Sequence, residues 1–342
     1  MEPIAIYPLP EHYDPKSVGE IFRVGYESRA AEARAWAETH DTHAAVEDDY
    51  RVNLFLVDVQ NTFCIPGFEL FVAGRSGNAA VEDSRRLCEF IYRNLGRISG
   101  ITLTLDTHTS IQIFHAIYLV DAEGGHPAPY TLISVEDVES GRWRFNPKAA
   151  EELGVTPEVG QKNLVHYVRE LAKTDRYALT IWPYHAMLGG IGHAVVPAVE
   201  EAVFFHSVAR YSQPDFEVKG RNPFTEHYSV VGPEVMEDAF GNRIGERNEK
   251  FIQDLQAYDA TLIAGQAKSH CVASTIVHLL EDIRRVDPAL AEKVYLLEDC
   301  TSPVVVPGMD YTEQADEAFA RFADAGMKII KSTDAPEVWY RG

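Results

Sequence analysis

Cysteine is scarce in this chain: Cys64, Cys88, Cys271 and Cys300 are too few and too scattered for a disulfide framework. A reducing compartment is the expectation, with at least one thiol left for chemistry. No apolar run approaches the roughly 20 residues that span a bilayer, and Met1-Glu2-Pro3-Ile4 lacks the basic-then-apolar order of a secretory signal. The cytoplasm is therefore expected, with no membrane partner. Basic charge is also short, 31 Lys and Arg against 52 Asp and Glu, for a net charge of −21. Such a surface repels phosphate backbones and excludes nucleic acid as a partner; it also favours a neutral substrate over an anionic one. Repeats, low-complexity tracts and linkers rich in Gly, Ser or Pro are missing too. One catalytic domain over 51–342 is then the economical reading for a chain that is 46% hydrophobic.

What is present is an alternation of short apolar runs with amphipathic stretches, the pattern of parallel strands joined by crossover helices. Strands are expected at Val52–Val57, Ile101–Leu105, Tyr177–Ile181, Asp215–Val218, Thr261–Ala264, Val294–Leu297 and Lys328–Ile330. Helices are expected over Ala79–Leu95, His193–Tyr211, Glu249–Tyr258, Cys271–Arg284 and Thr312–Ala325. The fold class that follows is α/β, a three-layer α/β/α sandwich with a central, mainly parallel sheet. Two segments stand outside the alternation. Residues 1–50 form an N-terminal extension with a helix-like run over Val18–Thr39, and residues of about 116–176 carry Gly, Pro and charge clusters that mark an insertion. Within it, His126-Pro127-Ala128-Pro129-Tyr130 suits either a lid over a site or a contact in a homo-oligomer.

In parallel sheets the loops at the carboxyl ends of the strands converge, so chemistry is sought where each apolar run stops. The runs stop at Asp58, at Asp106 with His108, at Trp182-Pro183-Tyr184-His185, at Lys219-Gly220 and before Cys271. Each has a plain alternative: a strand-end Asp caps a helix, a strand-end Lys is solvated, and a lone Cys beside Val and Ala is a small buried hydrophobe. At a helix start, however, unpaired N–H groups and the helix dipole favour a thiolate, which makes Cys271 a candidate nucleophile. Asp58 is then a competent proton acceptor, and the Lys219 ammonium holds both groups as anions. Asp106, His108 and His185 place a carboxylate and imidazoles at these ends, donors that suit a divalent transition metal, zinc first and iron or manganese next.

These residues resemble the nicotinamidase and isochorismatase-like cysteine hydrolases over about 52–330. Three motifs carry the resemblance: Asp58-Val59-Gln60-Asn61 with Phe63, Lys219-Gly220 before Pro223, and Gly265-x-Ala267-x-x-x-Cys271-Val272 with Thr275 one turn on. It implies the isochorismatase-like hydrolase fold and a catalytic triad of Asp58, Lys219 and Cys271. Isochorismatases proper lack the cysteine, so Cys271 points to the amide-hydrolysing members. The same resemblance implies metal ligation by Asp106, His108, His115 and His185, and a substrate pocket of Phe63, Trp182, Gln266 and His270. It also implies an oxyanion hole of the Ala267 and Cys271 N–H groups, set by a cis peptide between Gln266 and Ala267. The implied reaction is hydrolysis of nicotinamide to nicotinate and ammonia through a Cys thioester, a step of NAD salvage.

The chain departs from that pattern in places. Lys268-Ser269 stands where Thr-Asp is usual, Ala186 stands where Cys is usual, and the extension and insertion have no counterpart in compact nicotinamidases. Another small or cyclic amide is therefore the alternative substrate, and a catalytically silent metal-binding scaffold the alternative of a different class.

Overall fold

The computed structural model describes residues 6–173, 177–306 and 308–341. Residues 1–5 of the N-terminal extension and 174–176 of the expected insertion lie outside the described residues. The chain divides into two compact units, one of 1–105, 194–217 and 249–342, the other of 106–193 and 218–248.

The first unit is organised by a six-stranded sheet. Its strands are β1 (Val52–Val57), β2 (Gly100–Asp106), β3 (Asp215–Lys219), β4 (Ala260–Gly265), β5 (Val294–Leu297) and β6 (Lys328–Ile330), in the order β6-β5-β4-β1-β2-β3. β1 pairs in parallel with β2 and β4, and β5 in parallel with β4 and β6. Every residue of β1, β4 and β5 is buried, which is why these strands read as continuous apolar runs rather than as alternation. Edge strand β3 alternates instead.

Helices complete the layers. They are α1 (Tyr26–Thr39), α2 (Ala79–Arg93), α3 (Pro157–Ala172, in the second unit), α4 (Pro197–Arg210), α5 (Lys250–Ala257), α6 (Ala273–Val286) and α7 (Thr312–Asp324). Leu54 and Leu56 of β1 join Leu87, Phe90 and Ile91 of α2 and Val199, Val203 and Phe205 of α4 in one core. Phe55, on the opposite side of β1, packs against Phe251 of α5 at 4.7 Å between ring centroids. The expected α/β/α sandwich is therefore present. The N-terminal extension adds α1, which packs on α4, and Tyr7, whose ring meets Trp36 at 4.8 Å.

Several expected boundaries move. Tyr177–Ile181 is not a strand of the main sheet: only Leu179–Thr180 is extended, and it pairs antiparallel with Leu132–Ile133 in the second unit. The helix expected from His193 starts at Pro197, because a proline favours the first helical position and pushes the residue before it out of helical geometry. The run from Val18 becomes helical only at Tyr26, after Gly25. Cys271 does not open an α-helix directly; it sits in a π-type turn, Lys268–Val272, that leads into α6.

The second unit holds α3 and two small antiparallel ladders, the one just named and Leu119–Val120 with Arg144–Phe145. Thr156 caps α3 by accepting from the Val159 N–H, with Pro157 at the first helical position. Much of the expected insertion thus builds this unit. Among the described residues no helix is long and apolar enough to cross a membrane.

One glycine governs the end of β4. Gly265 has φ of +115°, and a Cβ there would lie 2.0 Å from the Val57 carbonyl oxygen. Gly265→Ala is expected to destabilise the protein by roughly 3 kcal/mol or more, combining backbone strain with overpacking. A urea unfolding curve with an unshifted midpoint would contradict this.

Candidate functional site

In the first unit, strands β1 and β4 carry two candidate residues to neighbouring positions. Val57 and Gly265 are register partners, and the Gln266 N–H donates to the Val57 carbonyl at 2.7 Å. The residues that follow, Asp58 on one strand and the turn to Cys271 on the other, therefore leave the sheet side by side. Asp58 is fully buried with φ of +47°. Thr104 of β2 fixes it twice: its Oγ1 accepts from the Asp58 N–H at 3.0 Å and donates to Asp58 Oδ1 at 2.6 Å. Asp tolerates left-handed geometry better than most residues, and the hydroxyl stabilises the carboxylate.

The Gln266–Ala267 peptide bond is cis. The Gln266 side chain, assigned from sequence to the substrate pocket, is held at both ends of its amide. Its Nε2 donates to Asp83 Oδ2 at 2.8 Å and its Oε1 accepts from the Ser302 N–H at 3.3 Å. Asp83 is a residue that sequence reading missed; burial raises its pKa, against the pull of Ser302, Gln266 and Arg86. Beyond the cis bond, the His270 and Val272 N–H groups both donate to the Ala267 carbonyl and close the π-type turn around the buried Cys271. The His270 ring is buried, with Nδ1 2.8 Å from Ser269 Oγ, and burial lowers its pKa to about 3, so it is neutral. Phe63 is buried in the core of this unit.

In the second unit, Asp106, His108 and His185 offer ligand atoms that all lie within 4.8 Å of one another. Their orientation follows from backbone carbonyls. His108 Nδ1 faces the Gly220 carbonyl at 3.2 Å, His185 Nδ1 the Pro183 carbonyl at 2.7 Å, and His115 Nδ1 the Ser110 carbonyl at 3.2 Å. In His185 and His115 a ring nitrogen that donates to a carbonyl leaves Nε2 as the lone-pair side, the arrangement of imidazoles that bind metals, whereas His108 Nε2 lies 2.8 Å from Asp106 Oδ2. His115 lies outside the three-residue group, with its ring centroid 6.0 Å from that of His108 and 6.2 Å from that of His185. Among the described residues its buried Nε2 has no hydrogen-bond partner. An orphaned buried nitrogen facing such a set fits a divalent transition ion, and the mixed oxygen and nitrogen donors agree.

Lys219 belongs to the same group, its Nζ donating to Asp106 Oδ1 at 2.8 Å and to the His227 carbonyl at 2.9 Å. Burial would raise the Asp106 pKa, but the His108 and Lys219 charges hold it well below the usual carboxylate range. His185 and His115 are both lowered by burial, His115 to about 3, so both are neutral near pH 7. Gly220 is required here. Its φ is +84°, and a Cβ would lie 2.8 Å from both Asp106 Oδ1 and His108 Cε1.

Two supports in this unit escaped the sequence reading. Gln112 braces the loop after β2: its Nε2 donates to the Gly220 carbonyl at 2.6 Å and its Oε1 accepts from the Thr109 N–H at 3.1 Å. Its position four residues beyond His108 was the available signal. Glu226, which burial pushes up to about 8, had none. Trp182 is buried, donates from its indole nitrogen to the Tyr228 hydroxyl at 3.0 Å, and meets Tyr130 of the His126–Tyr130 segment edge to face at 6.2 Å.

No protein-family model and no curated protein matches the chain. Solved structures do. The yeast nicotinamidase aligns with a TM-score of 0.50 at 18% identity, covering 82% of this chain and 99% of that one. The same enzyme bound to the inhibitor nicotinaldehyde gives 0.50 at 17%, again with 82% and 99% covered. The fold is that of the nicotinamidases. A nicotinamidase and pyrazinamidase from Acinetobacter baumanii aligns at 0.48 and 18% identity, over 84% of this chain and 99% of its own. Since 99% of the yeast chain is covered, this longer chain contains nearly the whole of that fold, with its parallel sheet and flanking helices.

The purified protein is expected to bind about one equivalent of a divalent transition metal. His115→Ala should weaken that binding roughly ten- to a hundredfold, and His185→Ala at least as much. Calorimetric titration of chelator-treated protein with zinc measures both; unaltered affinity in His115→Ala would remove that residue from the ligand set.

Proposed function

We propose that the protein is a metal-dependent amide hydrolase that cleaves nicotinamide to nicotinate and ammonia through a Cys271 thioester. The observation that carries the reading is the coincidence, on a nicotinamidase fold, of a buried cysteine turn next to a buried Asp58 with a buried Asp106, His108 and His185 group. Yeast nicotinamidase, to which the fold is similar, is described bound to nicotinaldehyde, an aldehyde counterpart of that amide.

In this mechanism Asp58 accepts the Cys271 proton and Lys219 supplies the counter-charge. The thiolate attacks the amide carbonyl, and the Ala267 and Cys271 N–H groups receive the oxyanion. Loss of one such donor costs about a hundredfold in rate or more. Asp58 returns the proton to departing ammonia and then takes one from the water that cleaves the thioester. Asp106, His108, His185 and His115 would hold the metal, which when bound supplies an electrophilic anchor that orients the substrate. Phe63 and Trp182 suit the two faces of a flat heteroaromatic ring.

A second reading, another small or cyclic amide, draws on Tyr130 against Trp182 and on Ala186, which is buried with φ of +47° where the family usually carries cysteine. Ammonia release from nicotinamide and from a panel of other amides separates the two. Cys271→Ala should lower the rate about a thousandfold or more, and chelator should lower it reversibly. Release from other amides but not nicotinamide replaces the substrate, a fully active Cys271→Ala protein removes the covalent route, and release from no amide leaves the catalytically silent metal-binding scaffold.

A further inference from the structure

The π-type turn that carries Cys271 is fastened on two sides within the first unit. The segment after β5 supplies one side. The Lys268 N–H donates to the Ser302 carbonyl at 2.8 Å, the Val304 N–H to Ser269 Oγ at 3.1 Å, and the Ser302 N–H to Gln266 Oε1 at 3.3 Å. Helix α7 supplies the other. Lys268 Nζ meets Asp316 Oδ1 at 2.6 Å and lies 4.6 Å from the centroid of the Phe319 ring. Asp316 and Phe319 are three residues apart, so both project from one face of α7 and receive the same ammonium. Tyr311, just before α7, adds an edge-to-face contact with the His270 ring at 4.8 Å.

The Lys268 side chain is 12% exposed while that of Asp316 is 62% exposed. An ion pair with so exposed a carboxylate contributes little to global stability. Its effect is directional: together with the aromatic face it leaves the Lys268 stem one course, and that fixes the first residue of the turn. Inside the turn the His270 and Val272 N–H groups share the Ala267 carbonyl, and Ser269 Oγ lies 2.8 Å from His270 Nδ1. A nucleophile displaced by about 1 Å loses roughly a hundredfold in rate.

We propose that Lys268 is a positioning residue for Cys271, clamping the nucleophile turn to α7 through Asp316 and Phe319. The inference rests on Cys271 being the nucleophile. Lys268→Met keeps the length of the stem and removes the ammonium. It should lower kcat roughly tenfold with KM within about twofold, and slow alkylation of Cys271 by iodoacetamide with its pH midpoint moved upward. Lys268→Arg keeps both the ion pair and the cation–π contact and should restore both readouts. Burial pushes the Cys64, Cys88 and Cys300 thiols up, so mass-spectrometric mapping reads Cys271 without interference near neutral pH.

Wild-type kcat and alkylation profile in Lys268→Met, or a lowered Tm with kcat intact, would overturn the proposal. If that variant does not fold, Asp316→Asn on the exposed side of the clamp carries the same test: a kcat fall of a few fold supports it and none overturns it. The alkylation readout needs no substrate. A wild-type protein that releases ammonia from no amide would sink the functional reading while leaving the clamp to be judged on Cys271 reactivity alone.

Discussion

The approach of two backbones at Gly265 and Val57 is the constraint on which the candidate nucleophile depends. β4 lies so close to β1 at this point that no side chain fits between them, and the positive φ turns the chain out of the sheet. The hydrogen bond from the Gln266 N–H to the Val57 carbonyl then holds the exit in register with the exit of β1, where Asp58 begins. A carboxylate and a thiol from residues more than two hundred positions apart are thereby delivered from adjacent strands. The parallel sheet does the long-range work, and Thr104 on the next strand orients the carboxylate.

The second unit solves a different problem, that of orienting imidazoles without carboxylate partners for each. Backbone carbonyls of Ser110, Pro183 and Gly220 do so for three histidines, which keeps negative charge concentrated on Asp106. Lys219 balances that charge through its 2.8 Å ion pair, and the small volume of Gly220 lets the two loops meet. Buried charges survive because they are paired.

What could be read in the sequence divides along physical lines. β1 and β5 are bounded as expected because a strand buried on both faces needs a predominantly apolar run. Tyr177–Ile181 has such a run too, yet its apolar residues serve a short antiparallel ladder, and local pattern carries no record of the partner strand. Asp58, Asp106, His108, His185, Lys219 and Cys271 were legible because strand ends, turns and family-like motifs mark them. Asp83, Gln112 and Thr104 were not, since their importance lies in hydrogen bonds to residues that only folding brings near. Gln266 is the instructive case: its place in a motif was visible, but its amide points to Asp83 and Ser302, a direction that sequence does not encode.

The division of the chain into two discontinuous units has a covalent consequence. The backbone passes from one unit to the other four times, after residues 105, 193, 217 and 248. Both pieces of the second unit, 106–193 and 218–248, are therefore tethered at each end to the unit that carries the sheet. A single nick anywhere in the chain leaves the two units joined by intact backbone. The loops that carry the histidines and Lys219 are closed loops rather than free arms, which limits the conformational entropy they lose in presenting those side chains.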